Sequence, residues 1–186
     1  MEIEPLSIEG AFKITPKNIS DSRGAFARLF CAEIFAQNGL NTSWVQINAS
    51  LNCEKGTVRG LHYQRPPYAE IKLVRCTRGR VFDVFVDLRK NSPSFGYACQ
   101  VTLDSNAFET VYIPMGCAHG FQTLTDDVEL HYMHSEFYSP QHEAGIRLTD
   151  PHLSINWPLP FSVIYERDQS LPLFKTIEPV SYTHLT

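Results

Sequence analysis

No stretch of this chain approaches the ~20 consecutive apolar residues that a membrane-spanning helix needs, although 43% of its 186 residues are hydrophobic. A transmembrane helix is therefore not expected. The first ten residues carry Glu2, Glu4 and Glu9 and no apolar run, which fits neither a signal peptide nor a transit peptide. The expected location is the cytoplasm. Cysteine is scattered and odd in number: Cys31, Cys53, Cys76, Cys99 and Cys117 form no Cys-x-x-Cys pair. That pattern argues against a disulfide framework and suits free, buried thiols in a reducing compartment. Basic charge is in short supply too, with 16 Lys and Arg against 20 Asp and Glu and a net charge of -4. A binder of nucleic acid through bulk charge is disfavoured; a local basic pocket for one phosphorylated ligand is not. Internal repeats, low-complexity tracts and linkers are lacking, so residues 1–186 read as a single domain.

What the chain does have is aromatic side chains, twelve Phe and eight Tyr, together with twelve Pro and ten Gly. Aromatic-rich chains broken by Pro and Gly favour β structure. A short helix is predicted over Ala32 to Gln37, stopped by Asn38-Gly39. Strands are predicted at Val45 to Leu51, Thr57 to Tyr63, Ile71 to Cys76, Gly79 to Leu88, Tyr97 to Leu103, Glu109 to Ile113, His119 to Leu124 and Val128 to Ser135. In the clearest of them, Phe82, Val84, Val86 and Leu88 form an apolar face for a core. Val81, Asp83, Phe85 and Asp87 form a mixed face suited to lining a cavity. Thr77-Arg78-Gly79 reads as the turn before it. The proline-rich stretch from Asp150 to Pro172 reads as turns and a short helix wrapping the sheets. Many short strands separated by breakers make an all-β protein, two packed antiparallel sheets in a sandwich or jelly roll with a few short peripheral helices.

Two segments carry chemistry. One is Gly56-Thr-Val-Arg-Gly-Leu-His62-Tyr-Gln64 followed by Glu70; the other is Ile113-Pro-Met-Gly116-Cys-Ala-His119-Gly-Phe-Gln122. Together they resemble the two motifs of the cupins, which makes the expected fold a cupin-like jelly roll. Metal-binding cupins carry a second His two residues after the first. Here that position is Gln64, and Glu70 lies beyond Pro66-Pro67, out of register. His62 and His119 alone are too few for a secure divalent site, so neither metal nor cofactor is expected. A lone histidine in a core is more often a packing residue than a catalyst. His62 has company: Arg59 three residues before it, Lys72 in the next strand, Asp83 in the one after, and Tyr132 between His131 and His134 further on. A base, a cation, a carboxylate and a phenol on adjacent strands suit proton transfer, and an imidazole titrates near neutrality.

The chain also resembles the dTDP-4-dehydrorhamnose 3,5-epimerases, from about Phe12 to Pro172, with residues 173–186 as a tail. The resemblance rests on an ordered series: Asp21-Ser-Arg-Gly24 with Phe26, Gln46-x-Asn48-x-Ser50, Arg59-Gly-Leu-His-Tyr-Gln64, Lys72-Leu-Val74, Phe82-Asp-Val84, Val86-Asp-Leu-Arg89, Ser92-Pro93, Ile113-Pro114, Ala118-His-Gly-Phe121, Tyr132, Tyr138-Ser-Pro140, Asp150-Pro151 and Ile155-x-Trp-Pro158. It implies a homodimer acting on a nucleotide-linked 4-keto-6-deoxy sugar by proton transfer through an enolate. It gives His62 as the base, Asp168 as the carboxylate that orients it (Asp83 being a second candidate), Tyr132 as the opposite-face acid and Lys72 as the enolate stabiliser. Arg23, Arg59 and His119 are implied diphosphate contacts, and Gln46 and Asn48 sugar- or nucleotide-site residues. Tyr138 is implied to stack on the base, with Glu143 and Arg167 as further implied contacts. Arg28 stands where typical members carry an acidic residue, and Arg167 where Lys is usual; both departures bear on which sugar nucleotide binds. An epimerase of C3 or C5 alone on a CDP- or GDP-linked sugar uses the same residues. A metal-dependent cupin and a non-catalytic sugar-binding module are the remaining alternatives.

Overall fold

In the computed structural model, which describes residues 1–181, nearly every strand lies in one of two antiparallel sheets. The end of the expected tail, residues 182–186, lies outside the described residues. The strands are β1 (Glu2–Pro5), β2 (Phe12–Thr15), β3 (Asn18–Asp21), β4 (Gly24–Ala27), β5 (Gln46–Asn52), β6 (Val58–Gln64), β7 (Lys72–Arg78), β8 (Arg80–Asp87), β9 (Ala98–Asp104), β10 (Thr110–Ile113), β11 (Cys117–Thr123), β12 (Val128–His134) and β13 (Glu143–Gly145). One sheet has the order β1-β2-β10-β7-β12-β5, the other β13-β6-β11-β8-β9, and β3 and β4 form a separate hairpin. This is the expected jelly roll. Two α-helices, α1 (Ala32–Gln37) and α2 (Glu166–Gln169), lie outside the sheets.

In the middle of the chain, sequence neighbours are not sheet neighbours. β6 and β7 belong to different sheets, as do β7 and β8. Thr77-Arg78-Gly79 is thus a corner that carries the chain from one sheet to the other, not a hairpin turn. The expectation of chemistry on adjacent strands is corrected accordingly: Lys72 and Tyr132 sit on one sheet, His62 and His119 on the other.

Strand alternation sets three apolar layers. Val74, Cys76, Val111, Ile113 and Leu130 of the first sheet meet Val81, Phe85, Cys99, Leu103 and Phe121 of the second in the central core. Behind the second sheet, Val58, Leu61, Val84, Val86, Leu88 and Ala118 are covered by Ile146 and Leu148, by Leu153, Trp157, Phe161 and Ile164 of the wrapping segment, and by Phe174 and Val180. The tail up to Val180 is therefore part of the packed structure. Behind the first sheet, Ile14, Leu73 and Tyr112 pack on Phe35 of α1. Both faces of β8 are buried, so its Val81–Asp87 face fills core rather than lining a cavity.

One close approach shapes the site. His119 lies opposite His62 across β6 and β11, and the register shifts between His119 and Phe121. At that crossing a Cβ on Gly120 would lie 2.5 Å from the Arg59 carbonyl oxygen, and one on Gly60 would lie 2.6 Å from the Gly120 Cα. Only glycine at both positions lets these backbones meet.

Candidate active site

Alternate residues of five strands face the gap between the sheets and build a cavity of about 370 Å³. β5 contributes Gln46, Asn48 and Ser50; β12, Tyr132 and His134; β7, Lys72; β6, His62 and Gln64; β11, His119. Period-2 alternation places most of these side chains, while Arg59, three residues from His62, also reaches the cavity because the β6–β11 pair is irregular near Gly60 and Gly120. Two sheets face each other, and the inward positions at one end of the gap are polar instead of apolar. The wrapping segment closes one side with Tyr165, Arg167 and Asp168.

His62 Nε2 lies 2.7 Å from Asp168 Oδ1. A carboxylate only accepts, so Nε2 carries the proton and the Nδ1 lone pair is free to act as a base. Asp168 is 3% exposed, and its second oxygen accepts from the Gly60 amide at 3.1 Å. Burial alone would raise its carboxyl; the bond to His62, the charge that ring can carry, the Gly60 N–H and Arg167 outweigh burial and hold it below the usual range. Asp83 does a different job. Its Oδ2 lies 2.8 Å from His119 Nε2, and it is absent from the cavity wall. Of the two carboxylate candidates for His62, the geometry selects Asp168.

Tyr132 comes from the opposite sheet, with its hydroxyl 2.9 Å from Ser50 Oγ. Burial pushes this phenol far above its ordinary value, and the Ser50 bond only partly opposes that. It is therefore a protonated donor at neutral pH. Lys72 Nζ donates to the His62 carbonyl oxygen at 3.2 Å and sits 3.2 Å from Glu70 Oε1. At the cavity mouth Tyr138, 56% exposed, donates to Glu143 Oε2 at 2.8 Å, and Arg167 pairs with Glu143 at 2.9 Å. Arg59 Nε donates to Asn52 Oδ1 at 2.8 Å and still borders the cavity.

The family-model comparison for dTDP-4-dehydrorhamnose 3,5-epimerase matches residues 5–176. The chain belongs to this family. A dTDP-4-dehydrorhamnose 3,5-epimerase from Sinorhizobium fredii is 40% identical over 186 residues, covering 100% of this chain and 95% of the relative. A dTDP-4-dehydrorhamnose 3-epimerase from Streptomyces niveus is 39% identical, over 91% of this chain and 82% of its own. Among solved structures, a dTDP-6-deoxy-D-glucose-3,5-epimerase from Legionella pneumophila in complex with dTDP-4-keto-L-rhamnose superposes with a TM-score of 0.92 at 34% identity, over 98% of this chain and 99% of that one. As a dTDP-4-dehydrorhamnose 3,5-epimerase family member, the chain is an isomerase.

Set against this epimerase family, the cavity gathers all the expected site residues except two. Arg23 and Arg28 lie away from it. Arg23 sits in the β3–β4 hairpin, its side chain 88% exposed and paired with Asp21, and Arg28 is an exposed residue just past that hairpin. Within one protomer neither reaches the epimerase cavity. Ser50, Glu70, His134 and Tyr165 line it without having been expected. For three of them the signal was present: Ser50 is two residues from Asn48, Glu70 two from Lys72, and His134 two from Tyr132. Gln64 has a structural task. Its Nε2 donates to the Tyr68 and Phe137 carbonyl oxygens, and its Oε1 accepts from the Ser139 amide, tying down the loop that presents Tyr138. Among the described residues no cluster of three or more His, Cys, Asp or Glu could hold a metal ion.

Proposed function

We propose that the chain converts dTDP-4-dehydro-6-deoxyglucose to dTDP-4-dehydrorhamnose by inverting C3 and C5 in turn. The observation that carries this reading is the carboxylate-backed His62 on one sheet with the protonated Tyr132 on the other, both bordering one cavity. Inversion needs removal of a proton from one face of the ring and delivery to the other, so base and acid must be different groups on opposite walls. His62 Nδ1 takes the proton next to the C4 ketone. The ammonium of Lys72 meets the negative charge that develops on the ketone oxygen. Tyr132 returns a proton from the other side. A proton leaves and a proton comes back with no change in oxidation state, so the step closes without a redox cofactor.

Arg59 and His119 supply diphosphate contacts, and Tyr138 a stacking face for the base, with Gln46, Asn48, Glu143 and Arg167 around the sugar nucleotide. The names of the compared relatives favour dTDP over CDP or GDP. One of the compared relatives is a 3-epimerase, but the family model and the other relatives are 3,5-epimerases and support inversion at both carbons.

The protein acts as a homodimer in this account. Ile19 and Phe26 of the β3–β4 hairpin are 63% and 66% exposed, and Ile47 and Leu51 of the edge strand β5 are both 62% exposed. A second copy would cover these apolar surfaces and would give Arg23 and Arg28 a cavity to serve. Among the described residues no helix is long and apolar enough to cross a membrane, and we assign the enzyme to the cytoplasm. Turnover of dTDP-, CDP- and GDP-linked 4-keto-6-deoxy sugars, compared side by side, tests the nucleotide. Conversion of the dTDP sugar alone supports the proposal, and preference for another nucleotide refutes that part of it.

A further inference from the structure

Three histidines border the cavity, and each is held by a different carboxylate: His62 by Asp168, His119 by Asp83 and His134 by Glu70. The third pair has no part in the proton transfers described above, yet its carboxylate also pairs with the ammonium of Lys72. Glu70 Oε2 lies 2.7 Å from His134 Nδ1, and Glu70 Oε1 lies 3.2 Å from Lys72 Nζ. His134 Nε2 lies 3.3 Å from Asn48 Nδ2. The side chains of Glu70 and Lys72 are 8% and 9% exposed.

We propose that Glu70 is a positioning residue for enolisation, one carboxylate that fixes both the ammonium of Lys72 and, through His134, the amide of Asn48. This rests on the epimerase reading of the same cavity.

The argument is one of donors and acceptors. An ionised carboxylate has only acceptors. Burial by itself would raise the Glu70 carboxyl. The charge of Lys72 and the bond to His134 outweigh burial and hold it below the usual range, so it is ionised at neutral pH. His134 must then donate from Nδ1. In the neutral ring this leaves a lone pair on Nε2, which accepts from the Asn48 Nδ2 group. The Asn48 amide is thereby oriented, and its carbonyl oxygen is turned away from His134. At the other oxygen of the same carboxylate, the Lys72 ammonium is held between Glu70 and the His62 carbonyl oxygen. A long flexible amine is thus fixed beside the strand that carries the base. Fixing a charge before reaction is where much of its catalytic value lies.

A Glu70→Gln side chain keeps the size but cannot do both jobs. Its single carbonyl oxygen can accept from Lys72 or from His134, and its NH₂ group opposes whichever donor is left. Glu70 makes no hydrogen bond or ion pair with the implied diphosphate residues Arg59 and His119, and it reaches the binding set only through His134 and Asn48, so the loss falls mainly on kcat and only modestly on ground-state binding.

The test is steady-state kinetics of wild type, Glu70→Gln and Glu70→Asp on the dTDP-4-keto sugar, with ¹⁵N NMR of the histidine side chains. The expected result is a kcat for Glu70→Gln lower by roughly ten- to a hundredfold, the scale of an ångström-size misplacement. KM should change far less than kcat, with at most a modest rise through Asn48, and Glu70→Asp should recover part of the loss. In the wild type, His134 should be the Nδ1-protonated tautomer, and in Glu70→Gln that tautomer should no longer dominate. A purely structural Glu70 predicts lower thermal stability with unchanged kcat per folded molecule, and that result overturns the proposal. So does an Nε2-protonated His134 in the wild type, a measurement that needs no variant and no substrate. If the wild type itself turns over no 4-keto sugar, the epimerase reading fails while the tautomer still decides the role of Glu70 at His134.

Discussion

His62 stands directly opposite His119 across the β6–β11 pair, and each imidazole gives its Nε2 to a different buried carboxylate, Asp168 and Asp83. Both rings therefore offer Nδ1 as their remaining nitrogen. The distinction between them is exposure and surroundings. The His62 side chain is 34% exposed and the His119 side chain 5%, so His62 has the access to substrate that a base needs.

If His62 is the base, His62→Ala should lose several orders of magnitude in kcat. Its affinity for the nucleotide, read by fluorescence, should change little, because the ring contributes to the reacting end of the site. A large loss of nucleotide affinity with preserved turnover would move His62 into the binding set.

Asp168→Asn keeps the shape of the pair but removes the charge that stabilises a protonated His62. A kcat lower by roughly 10²–10⁴-fold is expected, the range of general acid–base assistance. The Gly60 amide contact survives in the amide variant only if its carbonyl oxygen faces that N–H, which leaves an NH₂ against His62 Nε2. The ring is then driven to the other tautomer and Nδ1 becomes the protonated nitrogen. Kinetics that match wild type would show that Asp83 or solvent suffices.

Tyr132→Phe separates the two halves of the reaction. Proton removal by His62 needs no phenol, so exchange of substrate hydrogen with deuterated water should continue. Delivery to the opposite face should fail, leaving little epimerised product by NMR. Unimpaired epimerisation in this variant would remove Tyr132 from the acid role.

Acid should destabilise the protein through a definite set of groups. Burial tends to raise the carboxyls of Asp87, Asp150 and Asp168, but Arg89 with Ser92, the His152 and Phe174 amides, and His62 respectively outweigh it and depress all three. Their folded-state pKa values lie below the unfolded value of about 3.9. The unfolded chain therefore binds more protons in this range. The stabilisation is complete above the unfolded pKa and is lost as pH falls through the folded ones. The urea midpoint should hold between about pH 5 and 7 and fall below about pH 4. A midpoint that rises on acidification would contradict the assignment.

Gly120→Ala tests the crossing that places His62. The added Cβ would meet backbone at 2.5 Å and the Leu61 side chain at 2.9 Å. Backbone cannot yield cheaply, so a loss above about 3 kcal/mol in stability is expected. Unchanged thermal stability would show that β6 and β11 can separate there.

The strands of the two sheets were legible where alternation was strong. The predicted strands around Phe82, Val111 and Leu130 fall within a residue or two of their observed bounds, and α1 spans Ala32–Gln37 as its apolar pattern and the Asn38-Gly39 stop require. β1 to β4 and β13 were not read from the sequence. They are three or four residues long, with β1, β3 and β4 mostly exposed, too short to establish a period. The division into sheets was also out of reach, because pairing is decided by long-range packing that local alternation does not encode. That is why Lys72 was expected beside His62 on a neighbouring strand and is found across the gap. His62, Arg59, Lys72 and Tyr132 were grouped from their residue types, and the rest of the site came from motif resemblance. Glu70 and His134 were missed, although each shares a face with a residue already chosen.

Solvent exchange into the sugar tests the central claim most directly. Wild-type protein incubated with dTDP-4-dehydro-6-deoxyglucose in deuterated water should place deuterium at both C3 and C5, with product of inverted configuration at both carbons by NMR. Folded protein that exchanges neither position would contradict the account of His62 as the base of an epimerase.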